Sequence, residues 1–475
     1  MAEKVEHETI ERAPLPFHDT TYYESPPVKR GHDIDDAFRL AVDGHDVTWT
    51  VKEENRLFIS EIVSYSDTQA YGFAALFGLV QDLKLYALKV AGDGQVTIDL
   101  SKYSFSSSIT NLGAVAGQFF YRFSTITQPL AIIITSMWWK TQEQPLRVVL
   151  FIAGSALGQL VGQAIDLGAT GLTGVYESSP WKWIYVILGS VTIGTGLATF
   201  FIFPAAPMTA WFLTPKEKTI AVRRLTTNQT GIQTRKFKLK QLREVATDSQ
   251  VALLGVYAFA FAFANAAGGS YGPFLITSFG YSNRQGILLL MPATAVAMVS
   301  MVASGILGSK FPRHRILIAM LFILPSLAGN CNSLEIRSRQ RPYAACRSLY
   351  PINQSTTFYG ALVQQFSLLA ANVAGHTKKS ATNATIVLLA NLGGFSGPWS
   401  YHGSEAQQGY PTGQISTLSL LSASEAAFAI LWMYYRYKNK GKAALRAERP
   451  ELVDDPNLSF VDLTDQENPV FNYVC

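Results

Sequence analysis

Stretches of apolar residues long enough to cross a bilayer alternate along this chain with short polar segments. Residues 285–309 (QGILLLMPATAVAMVSMVASGILGS) hold no charged side chain at all. A helix rises about 1.5 Å per residue, so about 20 residues cross the roughly 30 Å hydrocarbon core. A helix that is apolar around its whole circumference presents no face to water. Spans are expected at 102–121, 148–169, 181–203, 251–270, 285–309, 315–330, 356–374, 381–399 and 414–435. A weaker candidate, 60–80, carries Glu61 and Asp67. The pattern predicts an all-α polytopic membrane protein with 9–10 transmembrane helices.

Charge then orients the spans. Residues 205–248 contain nine Lys/Arg against three Asp/Glu, whereas segments 168–180, 271–283 and 400–412 contain no Lys or Arg. Basic residues also fill 310–315, 376–379 and the stretch after Tyr435. Lys and Arg concentrate on the cytoplasmic side of membrane proteins, so these segments and both termini are placed in the cytoplasm. The net charge of +5 is spent beside spans and gives no sign of a nucleic-acid partner. The mean hydropathy of +0.15 is diluted by polar ends. The division that follows is 1–58 as a disordered cytoplasmic tail, 59–204 as an incomplete first helix bundle, and 205–248 as a central cytoplasmic loop. A second bundle covers 249–436 and a cytoplasmic tail 437–475. Three cysteines in this context make neither a metal spacing nor a disulfide framework.

Two helix bundles joined by a basic central loop resemble the layout of the major facilitator superfamily. Several stretches are more specific. Residues 74–85 (AALFGLVQDLKL), 135–147 (TSMWWKTQEQPLR), 212–231, 372–379 (NVAGHTKK) and 460–473 (FVDLTDQENPVFNY) resemble, in order, segments of the fungal allantoate permease family, an anion:cation symporter branch of that superfamily. The resemblance implies a plasma-membrane permease that imports a small carboxylate, such as allantoate, ureidosuccinate or nicotinate, together with protons.

The chain departs from the family pattern in three places. Helix 3 and most of helix 4 are missing, because Ser124 leads almost directly to a short apolar run at 128–139. Residues 86–100 look inserted ahead of the second helix. Residues 331–350 carry Arg337, Arg339, Arg341 and Arg347 on the predicted outer side, where they should not complete the span begun at 315–330. The fold expected is therefore a two-bundle facilitator scaffold lacking about two helices. Two other functions stay open: a non-transporting relic from a mis-assembled or decaying gene, and a membrane substrate sensor.

No motif for nucleophilic, phosphate or metal chemistry is present, so the sequence indicates neither an enzyme, nor a cofactor, nor a metal. Buried amides could bind a carboxylate without the cost of burying a charge, which makes Asn265, Gln365, Gln118 and Gln159 the substrate-binding candidates. Asn265 lies just ahead of Gly268-Gly-Ser-Tyr-Gly-Pro273, read as an interrupted helix end of the kind that borders transport sites. Ionisable residues within spans are costly and point to function, so Asp67 and Glu425 are the proton-coupling candidates. Asp166, near the end of its span, reads instead as a loop-edge acid. Residues 305–315 (GILGSKFPRHR) resemble the superfamily's gating loop between helices 8 and 9, with Gly305, Lys310 and Arg313 at its motif positions. The oligomeric state is not legible.

Overall fold

The computed structural model describes residues 74–90, 96–119, 144–169, 180–202, 238–278, 281–338, 356–408, 410–448, 463–468 and 471–475. Ten helices of nine residues or more lie among them. They are α1 (Ser101–Phe119), α2 (Gln144–Ala169), α3 (Pro180–Ile202), α4 (Leu239–Thr247) and α5 (Ser249–Ser278). The rest are α6 (Asn283–Lys310), α7 (Arg315–Ser338), α8 (Tyr359–Asn372), α9 (His376–Ser396) and α10 (Pro411–Glu448). Every expected span from 102 onward has its helix. Of the weak candidate 60–80, only a π-helical turn at Ala75–Leu79 and the turn Val80–Asp82 are described. Asp67, the run 128–139 and most of the central loop lie outside the described residues.

Four helical segments among these are long and apolar enough to cross a membrane by length and composition alone: Ser249–Thr277, Asn283–Lys310, Pro312–Cys331 and Pro411–Ala447. Helix α7 is longer than the span expected at 315–330. Helix α7 runs on to Ser338, and its spanning stretch is complete at Cys331, before Arg337 is reached. Pro312 at the start of the preceding 3-10 turn supplies the extra length. The arginines therefore need not enter the span.

The helix end expected at 268–273 is also absent. Helix α5 continues through Pro273 to Ser278. Proline removes one main-chain hydrogen bond, but in a bundle neighbouring groups restore what a single proline frees. Local chemistry fixes other ends. Ser282 caps α6 by accepting from Gln285 N at 3.3 Å, while Gln285 Oε1 accepts from Ser282 N at 3.1 Å. Gly375 makes the turn between α8 and α9 at φ +88°, where a side chain would be strained.

Within 86–100, read as an insertion, β1 (Ala87–Val90) pairs antiparallel with β2 (Val96–Asp99), with Leu88 opposite Ile98. It packs on the turn at Gly403–Gln408.

Helices before the central loop pack against helices after it, chiefly through two pairs. α1 packs on α9, and α2 packs on α6. Within the second part, α5 lies along α9 and α10, and α8 sits between α6 and α7. The main core gathers Val149 and Ile152 of α2 with Tyr257, Met301, Ile316, Phe366 and Phe428 from the later helices. Its stability comes from tight apolar packing rather than from amphipathic faces turned to water.

Candidate functional site

Helix α2 presents polar residues at 159, 163 and 166, spaced so that they stack along one face. All three side chains are buried. Gln163 Nε2 donates to Thr294 Oγ1 of α6 at 3.0 Å. Gln159 lies beside the hydroxyl of Tyr359 on α8. Its amide nitrogen is buried and makes no well-formed hydrogen bond. The Tyr359 hydroxyl in turn donates to Asn265 Oδ1 of α5 in a short hydrogen bond. Gln159, Tyr359 and Asn265 thus make a polar chain that begins before the central loop and ends after it. Tyr359 is itself held by aromatic neighbours, edge-on to Phe261 at 5.1 Å and tilted against Phe358 at 4.9 Å. Such packing fixes the direction of its hydroxyl.

A second set of contacts joins the two parts near the start of α1. Tyr103 Oη donates to the Ser270 carbonyl at 2.9 Å, the Ser104 and Tyr271 hydroxyls are hydrogen-bonded at 2.6 Å, and the Ser107 and Ser270 hydroxyls at 2.5 Å. Tyr271 also stacks on Tyr401 at 5.1 Å. Toward the far end of α6, Gly305 lets α2 approach closely. A Cβ there would come within 2.0 Å of Val149 Cγ2.

The sequence pattern of the Major Facilitator Superfamily matches residues 100–398. The chain belongs to that superfamily. The transporter is 28% identical to an uncharacterized transporter of Schizosaccharomyces pombe over 90% of its own length and 89% of that protein's. It is 26% identical to the allantoate permease of Saccharomyces cerevisiae, covering 93% of this chain and 90% of the permease. Among solved structures, an inward-facing bacterial homolog of the human lysosomal transporter Spinster is similar at a TM-score of 0.48 and 14% identity, over 81% of this chain and 97% of the other. The superfamily consists of membrane transporters, not enzymes, and the protein is accordingly an integral membrane transporter of facilitator type.

The transporter brings together two of the four residues expected to bind substrate, Gln159 and Asn265. Gln365 is buried, but its amide donates to the Leu254 carbonyl at 2.9 Å and so ties α8 to α5. Gln364 likewise donates to Ser304 of α6 at 2.7 Å. Gln118 is on α1, and its side chain lies outside the described part. Glu425 is half-buried on α10, with one carboxylate oxygen lacking a hydrogen-bond partner. No hydrogen bond links it to the Asn265–Tyr359 chain among the described residues. Lys310 and Arg313 are exposed and form no ion pair with a described residue, while Gly305 is buried at the α2–α6 contact. Asp166, read as a loop-edge acid, is instead fully buried with neither carboxylate oxygen hydrogen-bonded.

Sequence reasoning missed Tyr359, Gln163 and Thr294. Tyrosine and threonine are common in spans, and nothing in their spacing marks them as partners. Tyr359 is 94 residues from Asn265 in the chain, so only folding brings them together.

Proposed function

We propose that this transporter imports a small organic anion together with protons by alternating access. In this reading the anion is bound where Gln159, Tyr359 and Asn265 converge. The observation that carries it is the buried amide nitrogen of Gln159, a donor without a well-formed partner beside the Tyr359–Asn265 hydrogen bond. A carboxylate accepts such donors readily, and an unsatisfied buried donor costs roughly 1–3 kcal/mol until something fills it. A site made by helices from both parts of the chain is what a rocking mechanism requires, since each part must release the substrate in turn. The likeness to an allantoate permease favours allantoate and related carboxylates as the substrate class. The placement of basic segments 205–248, 310–315 and 376–379 supports cytoplasmic termini, and the likeness to a permease favours the plasma membrane.

The test is uptake of labelled allantoate, ureidosuccinate and nicotinate in a yeast strain lacking its own permeases. One of these is expected to accumulate, to do so with alkalinisation of the medium, and to stop with an uncoupler. Tyr359→Phe and Asn265→Ala are each expected to lower uptake by about tenfold, the loss of one hydrogen bond worth about 1.4 kcal/mol, at unchanged abundance. Saturable binding without accumulation would assign the chain to sensing. Neither binding nor uptake by folded protein would leave the import reading without support.

A further inference from the structure

Residues 463–468 and 471–475 are folded back onto the helices that carry Arg315, Lys378 and Asn439. Its Asp465 enters a buried cluster in which the Lys378 ammonium touches three carboxylates: Glu244 at 2.6 Å, Asp248 at 2.6 Å and Asp465 at 2.7 Å. The Lys378, Asp248 and Asp465 side chains are fully buried. The three carboxylate oxygens lie within 4.8 Å of one another, a spacing that would suit a divalent cation, but the lysine ammonium already bridges all three. Burial alone would push the pKa of Lys378 down. The charge of Asp465 and the hydrogen bonds that the ammonium donates to Asp248, Asp465 and Glu244 outweigh burial and hold it above the ordinary lysine value.

The rest of the segment reaches each helix of the second part except α6. Gln250 of α5 donates to Asp465 Oδ2 at 3.0 Å. Asn372 of α8 and Val474 exchange two hydrogen bonds, each 2.8 Å. The Arg315 amide of α7 donates to the Cys475 carbonyl at 2.8 Å. On α10, Asn439 pairs with the Tyr473 main chain at 2.8 Å in both directions, and Tyr435 stacks flat on the Tyr473 ring at 5.1 Å. The Lys442 ammonium donates to the main-chain oxygens of Asp465 and Asn468. Helix α4, the end of the central loop, joins the same place, for Gln241 Oε1 accepts from the Thr377 and Lys378 amides at 3.1 and 3.2 Å.

The charge count separates a permanent brace from a removable one. Lys378 is already paired by Glu244 and Asp248, which belong to the helical frame. Asp465 brings a third carboxylate to the same ammonium, so its attraction to Lys378 is set against the repulsion of two acids already there. Donors on Gln250 and Tyr473 offset that repulsion, the latter with its hydroxyl 2.8 Å from Asp465 Oδ2. Like charges gathered in a poorly solvated site are costly. Lys378 therefore keeps two carboxylate partners when the segment leaves, while Asp465 gives up its contacts with Lys378 and Gln250.

We propose that residues 463–468 and 471–475 are a releasable strap, with Asp465 as its catch, that fastens α4 and the ends of α5, α7, α8, α9 and α10 into one body. When it is docked, these ends move together. When it is released, α4 and the α8–α9 turn are held only by their own contacts. This device is independent of the substrate and of the coupling ion.

The experiment uses the full chain in detergent or nanodiscs, with Cys331→Ser and Cys346→Ser so that Cys475 is the only thiol. Its rate of maleimide labelling is compared with that of the denatured chain. Cys475 is expected to be protected, and Asp465→Asn to raise its labelling by about tenfold while the melting curve of the helices stays near that of the parent. Tyr473→Phe, which removes one donor to the catch, is expected to fall between the two. The proposal is overturned if Cys475 in the parent labels at the denatured rate, or if neither variant changes the rate. It is also overturned if Asp465→Asn melts the bundle along with the strap, because the segment is then a fixed part of the fold.

Discussion

Gly393→Val is expected to abolish the folded bundle. Helices α5 and α9 meet at their backbones. A Cβ at 393 would lie 2.2 Å from the Phe259 carbonyl oxygen and 3.0 Å from its Cα. One turn on, a Cβ at 397 would lie 2.4 Å from the Phe263 carbonyl. Small residues four apart let helices in membranes approach closely enough for dispersion to hold them. A backbone carbonyl cannot turn aside as the tip of a side chain can, so the whole of α9 would have to move out. Overpacking of this kind costs about 3 kcal/mol or more. Size-exclusion chromatography and a melting curve would show the loss. Gly268→Val on α5, where nothing lies within 4 Å of the added carbon, is the control and should leave both unchanged. A Gly393→Val chain with parental melting would mean that α5 and α9 are not in backbone contact.

Lys378→Gln is expected to be nearly as damaging, for an electrostatic reason. It removes the only ammonium that touches the carboxylates of Glu244, Asp248 and Asp465 among the described residues. Breaking a buried ion pair on one side costs about 3–5 kcal/mol, because the partner charge stays behind in a poorly solvated site. Adding Asp465→Asn to Lys378→Gln should then restore part of the loss, since one stranded charge is gone. The two changes couple with a sign that independent sites do not show. If the double variant melts below Lys378→Gln alone, the three acids are not sharing one lysine.

Much of the fold could be read from the chain because it depends on local quantities. The absence of charge from 285–309 forces a long apolar helix wherever it folds, and α6 covers that stretch. The length of an apolar run was less reliable at its edges. α7 continues past 330 because Asn, Ser and Glu are tolerated in the last turns of a helix, and those residues have little apolar character to count. At 268–273 the glycines and proline looked like a break, yet α5 is continuous. Their meaning depended on whether neighbouring helices could satisfy the freed backbone, which composition does not reveal.

The sites were less legible than the fold. Asn265 and Gln159 were identifiable because a buried amide is costly wherever it sits in a span. Their link through Tyr359 was not, since a tyrosine is ordinary in either environment. Gln365 carried the same signal as Asn265, but its amide is taken up by the Leu254 carbonyl. Lys378 stood out only as one of several basic residues that orient the chain. In the folded protein it is fully buried, while Lys310, similar by sequence, is exposed.

By itself, then, the sequence determined that this chain lives in a membrane, where its helices lie and which polar residues are costly enough to need a reason. Hydrophobic transfer and charge desolvation act residue by residue, so they are written in composition and spacing. The tertiary structure alone decided which of those polar residues meet and which are used up in packing. It also decided that a C-terminal aspartate would share a lysine with the end of the central loop. Such pairings join positions up to hundreds of residues apart, and their energies depend on distances of a few ångströms that only the packed bundle sets.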